Sequence, residues 1–173
     1  ITLALNPRDA PTRPTHPNPT YAPSRAVDRV RRQLVAAAAA ALAASGQPNA
    51  SFVEYGADLG LVALPLLRMG YRAHLVQPLP ENARLLRASL CLNNYTAVAT
   101  LHGPLALGDG GASSACMAIA HGGERSLRSI YATPAPACPR DGFRVRSRTL
   151  DDVIDCSRSG AVSVLRVDAA GAA

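Results

Sequence analysis

The segment FVEYGADLG, residues 52–60, is the most informative part of the sequence about the fold. Its first half is short and apolar, so residues 51–55 predict a strand that enters a turn with glycines at 56 and 60. Residues 59–69 then predict a helix. Glycine in such a turn lets the backbone approach a ligand, and a helix N-terminus favours an anionic group. Taken alone, the pattern is equally typical of a plain turn between a strand and a helix.

The alternation of strand and helix continues along the chain. Three further strands are predicted, at residues 73–76, 98–101 and 162–167. Two further helices are predicted, an amphipathic one at 81–92 and a short one at 149–156. Strands that alternate with helices in this way predict an α/β fold with a parallel sheet wound on both faces.

Three segments differ from this pattern. Residues 1–24 hold six of the 14 prolines, which predicts an extended arm. Residues 25–46 predict a helix with Ser24 as its N-cap. Residues 103–142 are rich in Gly, Ser, Ala and Pro and predict no helix, but either short antiparallel strands or an excursion loop. The predicted organisation is an arm, an N-terminal helix and an α/β domain over residues 51–173.

Composition limits the classes of partner. The chain has 173 residues, with 18 basic residues, all of them Arg, against 12 acidic ones. A net charge of +6 suggests nucleic acid as a partner, but the Arg residues are dispersed and only two Phe and no Trp offer stacking surfaces. Nucleic acid binding is therefore not expected. The longest apolar run, residues 34–45, is too short to span a membrane, so no membrane span is expected either.

Cysteines, histidines and two sequons bear on metal binding and compartment. The four cysteines include no C-x-x-C pair and the four histidines show no metal-ligand spacing, so no metal site is predicted. Disulfides and buried free thiols both stay open. The sequons Asn49-Ala50-Ser51 and Asn94-Tyr95-Thr96 are acceptor patterns for N-glycosylation. Cytoplasmic, organellar and secretory locations are all compatible with these features.

Several blocks together resemble the FkbM-type methyltransferases. FVEYGADLG at 52–60 and QPLPEN at 77–82 are similar to the family patterns F-V-D-V-G-A-N-x-G and F-E-P-x-P-E-N. The resemblance continues in ALGD at 106–109 and TLDD at 149–152. LRVDAAGAA at 165–173 resembles the family's K-I-D-V-E-G-A-E. These blocks occur in the family's order, which makes them more specific together than any one alone.

The resemblance implies a Rossmann-like class I methyltransferase fold and S-adenosylmethionine as cofactor. It implies an O-methyltransferase that acts on a glycan or a small molecule. By the same resemblance, Asp168 would be the catalytic residue that faces the methyl acceptor. The residues implied for cofactor binding are Glu54, Gly56, Gly60, Gln77 and Asp109.

Three departures from the family pattern favour an alternative. Gln77 stands where the family has an acid, which loses a charge-assisted bond to the cofactor's ribose, worth about 1–2 kcal/mol. Ala170 and Ala173 replace two glutamates. The sequence also ends after the fourth of seven expected strands, so the fold is expected to be incomplete. The alternative is a catalytically degenerate subunit with a structural or assembly role, which would bind protein partners through the proline-rich arm and the exposed fourth strand.

Several acidic residues also have a purely structural interpretation. Asp109 lies in GDGG at 108–111, a composition typical of a turn. Asp168 is as well explained by a cap on the turn after its strand. Asp151 and Asp152 fall in the first turn of a predicted helix, where the helix dipole favours acids. We therefore interpret that pair as a helix start.

Overall fold

The computed structural model describes residues 25–108, 113–121, 130–135, 137–138, 140, 142–154 and 161–168. The helices in these residues are α1 Arg25–Ala44, α2 Ala63–Arg68, α3 Pro80–Leu92 and α4 Leu150–Val153. The strands are β1 Ser51–Tyr55, β2 Arg72–Val76, β3 Ala99–His102, β4 Leu105–Leu107, β5 Ser114–His121, β6 Ile130–Ala135, β7 Phe143–Arg148 and β8 Val162–Val167. The predicted proline-rich arm, residues 1–24, lies outside the described residues.

Four strands form a parallel sheet in the order β3-β2-β1-β8. The chain moves from β1 outward to β2 and β3, and β8 then lies on the other side of β1. The predicted α/β fold with four parallel strands is therefore confirmed, and this sheet is compatible with a Rossmann-like fold. The order reverses between β1 and β8, which is where open α/β sheets bind ligands, outside the carboxyl ends of the strands.

Strand β1 lies between β2 and β8 and is buried along its whole length. All five residues are buried, and Phe52 and Val53 are fully so. On the face that carries Phe52, the sheet packs against buried side chains of three helices. They include Val35 and Leu42 of α1, Leu66 of α2 and Leu86 of α3. On the opposite face Tyr55 packs with Val76 of β2 and Leu105 of β4.

A second sheet has the order β4-β7-β5-β6. Strands β4, β5 and β6 come from the segment 103–142, which predicted no helix, and β7 follows that segment directly. Strand β5 runs antiparallel to β6 and β7, which confirms short antiparallel strands in this region. Cys116 on β5 forms a disulfide with Cys138. Strand β7 was not predicted from the sequence, although its side chains alternate between exposed arginines and the buried Val145 and Ser147.

Two helices are shorter than their sequence predicted. The segment 59–69 becomes helical only from Ala63, because positive φ angles at Asp58 and Gly60 keep the preceding turn out of the helical conformation. In the segment predicted as a helix at 149–156, the described residues 149–154 contain the short helix α4, which ends at Val153 because Ile154 is extended. Thr149 and Asp152 form a reciprocal capping box at its start, which confirms that Asp152 belongs to a helix start. None of the helices in the described part of the chain is long and apolar enough to cross a membrane.

Candidate functional site

The carboxyl ends of β1, β2 and β8 bring three of the predicted site residues to one edge of the sheet. Gly56 follows β1, Gln77 follows β2 and Asp168 follows β8. Backbone hydrogen bonds join them: the N–H of Gly56 donates to Val76 O at 2.9 Å, and the N–H of Asp168 donates to Tyr55 O at 2.9 Å. This edge, at the reversal of strand order, is the candidate site.

Both glycines of the turn are required by the protein's own packing. Gly56 has a φ of +77°, and a Cβ there would lie 2.1 Å from the backbone oxygen of Asp168. Gly60 has a φ of +82°, and a Cβ there would lie 2.7 Å from a methyl carbon of Leu86. A side chain at position 56 would therefore collide with the end of β8. Glycine at this position allows β1 and β8 to lie side by side.

The N–H groups of this turn bond to carbonyl groups of the protein. Those of Gly56 and Ala57 both donate to Val76 O, at 2.9 and 3.2 Å, and that of Gly60 donates to Ala57 O at 2.8 Å. The sequence predicted that the glycines would offer their N–H groups to an anionic ligand. Their hydrogen bonds do not support that role, and they favour the interpretation of this segment as a turn.

Two blocks of the family resemblance meet beside the turn. Asp58, at a φ of +49°, accepts a hydrogen bond through Oδ1 from Nδ2 of Asn82 at 2.5 Å. Asp58 belongs to FVEYGADLG and Asn82 is the last residue of QPLPEN. The contact ties the loop after β1 to the first turns of α3. The two blocks are thus joined by a side-chain hydrogen bond at the carboxyl edge of the sheet.

A three-residue charge cluster crosses from β1 to β8. Glu54 and Arg166 are partners in the register of the two strands, so their side chains share one face of the sheet. Arg166 donates through Nη1 to Oε1 of Glu54, and through Nη2 to Oδ2 of Asp168 at 2.5 Å. Sequence reasoning singled out Glu54 and Asp168 but missed Arg166. The alternation of side chains along β8 placed Arg166 on the other face from Leu165 and was the available signal.

The carboxyl group of Glu54 is only partly satisfied. Glu54 is 1% exposed, and its Oε2 is buried without a hydrogen-bond partner among the described residues. Burial raises the pKa of Glu54 to about 7, although the Arg166 guanidinium pulls it down. A buried acceptor without a donor is costly, so a site of this kind favours a ligand that brings a donor or a positive charge.

Gln77 uses its side chain within the loop after β2. It is 5% exposed, and its Oε1 accepts from the N–H of Leu79 at 3.3 Å, which supports the entry into α3. An amide oxygen has two lone pairs, so this bond leaves one for a second donor. The predicted contact of Gln77 with a ribose thus stays a prediction. Asp109, Ala170 and Ala173 lie outside the described residues.

The structure also pairs two histidines that the sequence analysis treated separately. His74 on β2 and His102 on β3 approach to 3.4 Å between Nδ1 and Nε2. Partial burial lowers the pKa of both rings, helped by Arg72 for His74. Both rings are therefore neutral at pH 7, and one can donate to the other. No group of three or more His, Cys, Asp or Glu in the described residues is placed to hold a metal ion.

Comparison of the chain with protein-family models, with curated proteins and with solved structures finds no match. The resemblance to FkbM-type methyltransferases therefore stays a prediction from the quoted motifs.

Proposed function

We propose that this chain carries the cofactor site of an S-adenosylmethionine-dependent O-methyltransferase that acts on a hydroxyl group of a glycan or a small molecule. The observation that supports this proposal best is the environment of the Glu54 carboxyl group. This acid is buried at the carboxyl end of the central strand, at the reversal of strand order, and its Oε2 lacks a partner among the described residues. An orphaned carboxylate oxygen in that position suits a ligand with an amino group, and S-adenosylmethionine has one at its methionine end.

The other residues of the edge suit the remaining parts of this cofactor. Gln77 would accept from a ribose hydroxyl with the free lone pair of Oε1. Asp58 and Asn82 hold the loops on either side of the cofactor's expected place. When bound, S-adenosylmethionine supplies an electrophilic methyl group on a sulfonium sulfur. These residues fit such a ligand by charge and hydrogen-bonding type.

Arg166 sets the electrostatics on the acceptor side. Its guanidinium compensates part of the charge of Glu54 and also binds Asp168, whose side chain is 52% exposed. The second carboxylate oxygen of Asp168, Oδ1, is the group we assign to the acceptor hydroxyl, where it would accept the proton that the hydroxyl loses. Arg166 is a positioning residue in this proposal, because it orients Asp168 without touching the acceptor.

A second candidate function, a structural or assembly role, is favoured by two observations. The N–H groups of the glycine turn bond to the protein itself. In addition, β8 lies at the end of the parallel sheet, and Leu165 and Val167 are 49% and 55% exposed there. An apolar strand at a sheet edge is a surface on which another strand can pair.

Calorimetric titration with S-adenosylmethionine, applied to the unmodified chain and to variants of Gln77, distinguishes the two proposed functions. We expect the unmodified chain to bind with a Kd weaker than about 100 μM, since a neutral amide replaces the carboxylate and each 1.4 kcal/mol lost is tenfold in affinity. Gln77→Glu keeps the acceptor for Leu79 N–H and adds the charge, so it should tighten binding about tenfold.

The matched control is Gln77→Ala, which removes the acceptor oxygen Oε1 with both of its lone pairs and should weaken binding below that of the unmodified chain. Equal affinity of the Glu and Ala variants would show that position 77 does not contact the cofactor. No binding by any of the three proteins would favour the structural role instead.

A further inference from the structure

The turn between α3 and β3 presents one of the two sequons in a form suited to modification. Asn94 is exposed and has a φ of +58°, and Thr96 is exposed two residues later. Tyr95, between them, is half-buried: its N–H donates to Leu90 O at 2.8 Å, and its side chain packs against the core. The middle residue thus anchors the turn while the asparagine and the threonine of the sequon face solvent.

The other sequon is placed differently. Asn49 is exposed, but Ser51 is the first residue of β1 and is fully buried. Its Oγ donates to Ala161 O at 3.3 Å, in the segment before β8. Once β1 has paired, the hydroxyl that this sequon needs is inside the sheet. The structure therefore favours Asn94 over Asn49 as an acceptor.

The disulfide gives an independent indication of the compartment. Cys116 and Cys138 are joined with a Cα–Cα distance of 5.2 Å, well inside the range of natural disulfides. Structural disulfides form and persist in oxidising compartments such as the lumen of the endoplasmic reticulum, and are rare in the cytosol. N-linked glycans are added to exposed sequons of proteins that pass through that same lumen.

From these two observations we infer that Asn94 is an N-glycan attachment site in a protein that folds in the secretory pathway. The co-reactant is an oligosaccharide linked through pyrophosphate to a lipid. A bond forms between Nδ2 of Asn94 and the anomeric carbon, the bond from that carbon to the pyrophosphate oxygen breaks, and the lipid pyrophosphate leaves with the electron pair. The amide nitrogen loses one proton to solvent.

The position of Asn94 keeps a glycan away from the candidate site. The turn precedes β3, so it lies at the edge where the parallel strands begin. Gly56, Gln77 and Asp168 lie at the opposite edge, where the strands end. A glycan on Asn94 would therefore leave the carboxyl edge accessible, and this inference does not depend on the proposed methyltransferase function.

The test uses the full chain, secreted from eukaryotic cells behind a cleavable signal. Peptide N-glycosidase treatment, followed by mass spectrometry, should remove a glycan and convert Asn94 to Asp. Thr96→Ala should abolish the glycan, whereas Thr96→Ser, which restores the sequon, should keep it. These variants leave Asn94 in place, which matters because its positive φ suits asparagine better than most residues.

Asn49→Gln is the matched control and should leave the glycan on Asn94. The same secreted protein should show Cys116 and Cys138 protected from alkylation until it is reduced. A secreted chain without a glycan on Asn94, or a glycan that persists in Thr96→Ala and disappears in Asn49→Gln, would overturn the assignment. Free alkylation of both cysteines in the folded, secreted chain would overturn the argument from the disulfide.

Discussion

Gly56→Ala tests the contact that creates the candidate site, the close approach of β1 and β8. At a φ of +77° an alanine costs about 1–2 kcal/mol from backbone conformation alone. Its Cβ would also lie 2.1 Å from the backbone oxygen of Asp168, so the end of β8 would have to move by roughly an ångström to reach van der Waals distance. Such overpacking costs about 1–3 kcal/mol, and the bond from Asp168 N–H to Tyr55 O adds about 1 kcal/mol. The free energy of unfolding is therefore expected to fall by about 3–6 kcal/mol.

Gly46→Ala is the matched control, because Gly46 has a φ of +62° and nothing lies within 4 Å of a Cβ there. In this variant the free energy of unfolding should fall only by the cost of the backbone conformation, about 1–2 kcal/mol. The free energies of unfolding would be measured by urea titration followed by circular dichroism, with the midpoint and slope compared for both variants. Equal losses in the two variants would refute the close contact between β1 and β8.

Two further predictions concern the buried charge cluster. The pKa of Glu54 is about 7 in the folded chain and 4.5 as a free side chain. Between these pH values the folded state therefore binds more protons than the unfolded state. The free energy of unfolding should thus fall by about 3 kcal/mol as the pH rises from 4.5 to above 7. Glu54→Gln should flatten this part of the profile in urea titrations at pH 5, 6, 7 and 8, and an unchanged slope would exclude Glu54 as its source. Arg166→Met leaves Glu54 without its partner, so this variant should lose on the order of 3 kcal/mol in the free energy of unfolding at pH 8. The loss should be smaller at pH 5, where Glu54 is protonated. An equal loss at both pH values would show that the ion pair is not responsible.

Most of the parallel sheet could be predicted from sequence because its signals are local. Strand β1 and strand β8 have the bounds that their apolar runs predicted, and α3 begins one residue earlier than predicted. The alternating pattern of β7 is present in the sequence. It was not interpreted as a strand because it directly follows a segment rich in turn-forming residues. The late start of α2 could not be predicted, because the positive φ at Asp58 depends on packing and on its contact with Asn82.

The candidate site was predictable only in part. Gly56, Gln77 and Asp168 follow three parallel strands, so topology alone brings them together. For Arg166, alternation along β8 indicated only the face of the sheet. Its contact with Glu54 could not be predicted, since it depends on the register between strands that are 112 residues apart at this pair. The hydrogen bonds from the turn N–H groups to Val76 O could not be predicted either, because they join residues that are distant in sequence.

Calorimetric titration of the full chain at pH 6 and pH 8 is the decisive experiment for the proposed binding of S-adenosylmethionine at the carboxyl edge beside Glu54. Because the pKa of Glu54 is about 7, its carboxylate is mostly ionised only at the higher pH, where it can accept from the amino group of the ligand. We expect saturable binding, with a Kd weaker than about 100 μM, that is tighter at pH 8 than at pH 6. In Glu54→Gln this pH dependence should disappear. No saturable binding up to about 5 mM ligand, or equal affinity at both pH values with no effect of Glu54→Gln, would contradict the proposed role of Glu54 in binding S-adenosylmethionine.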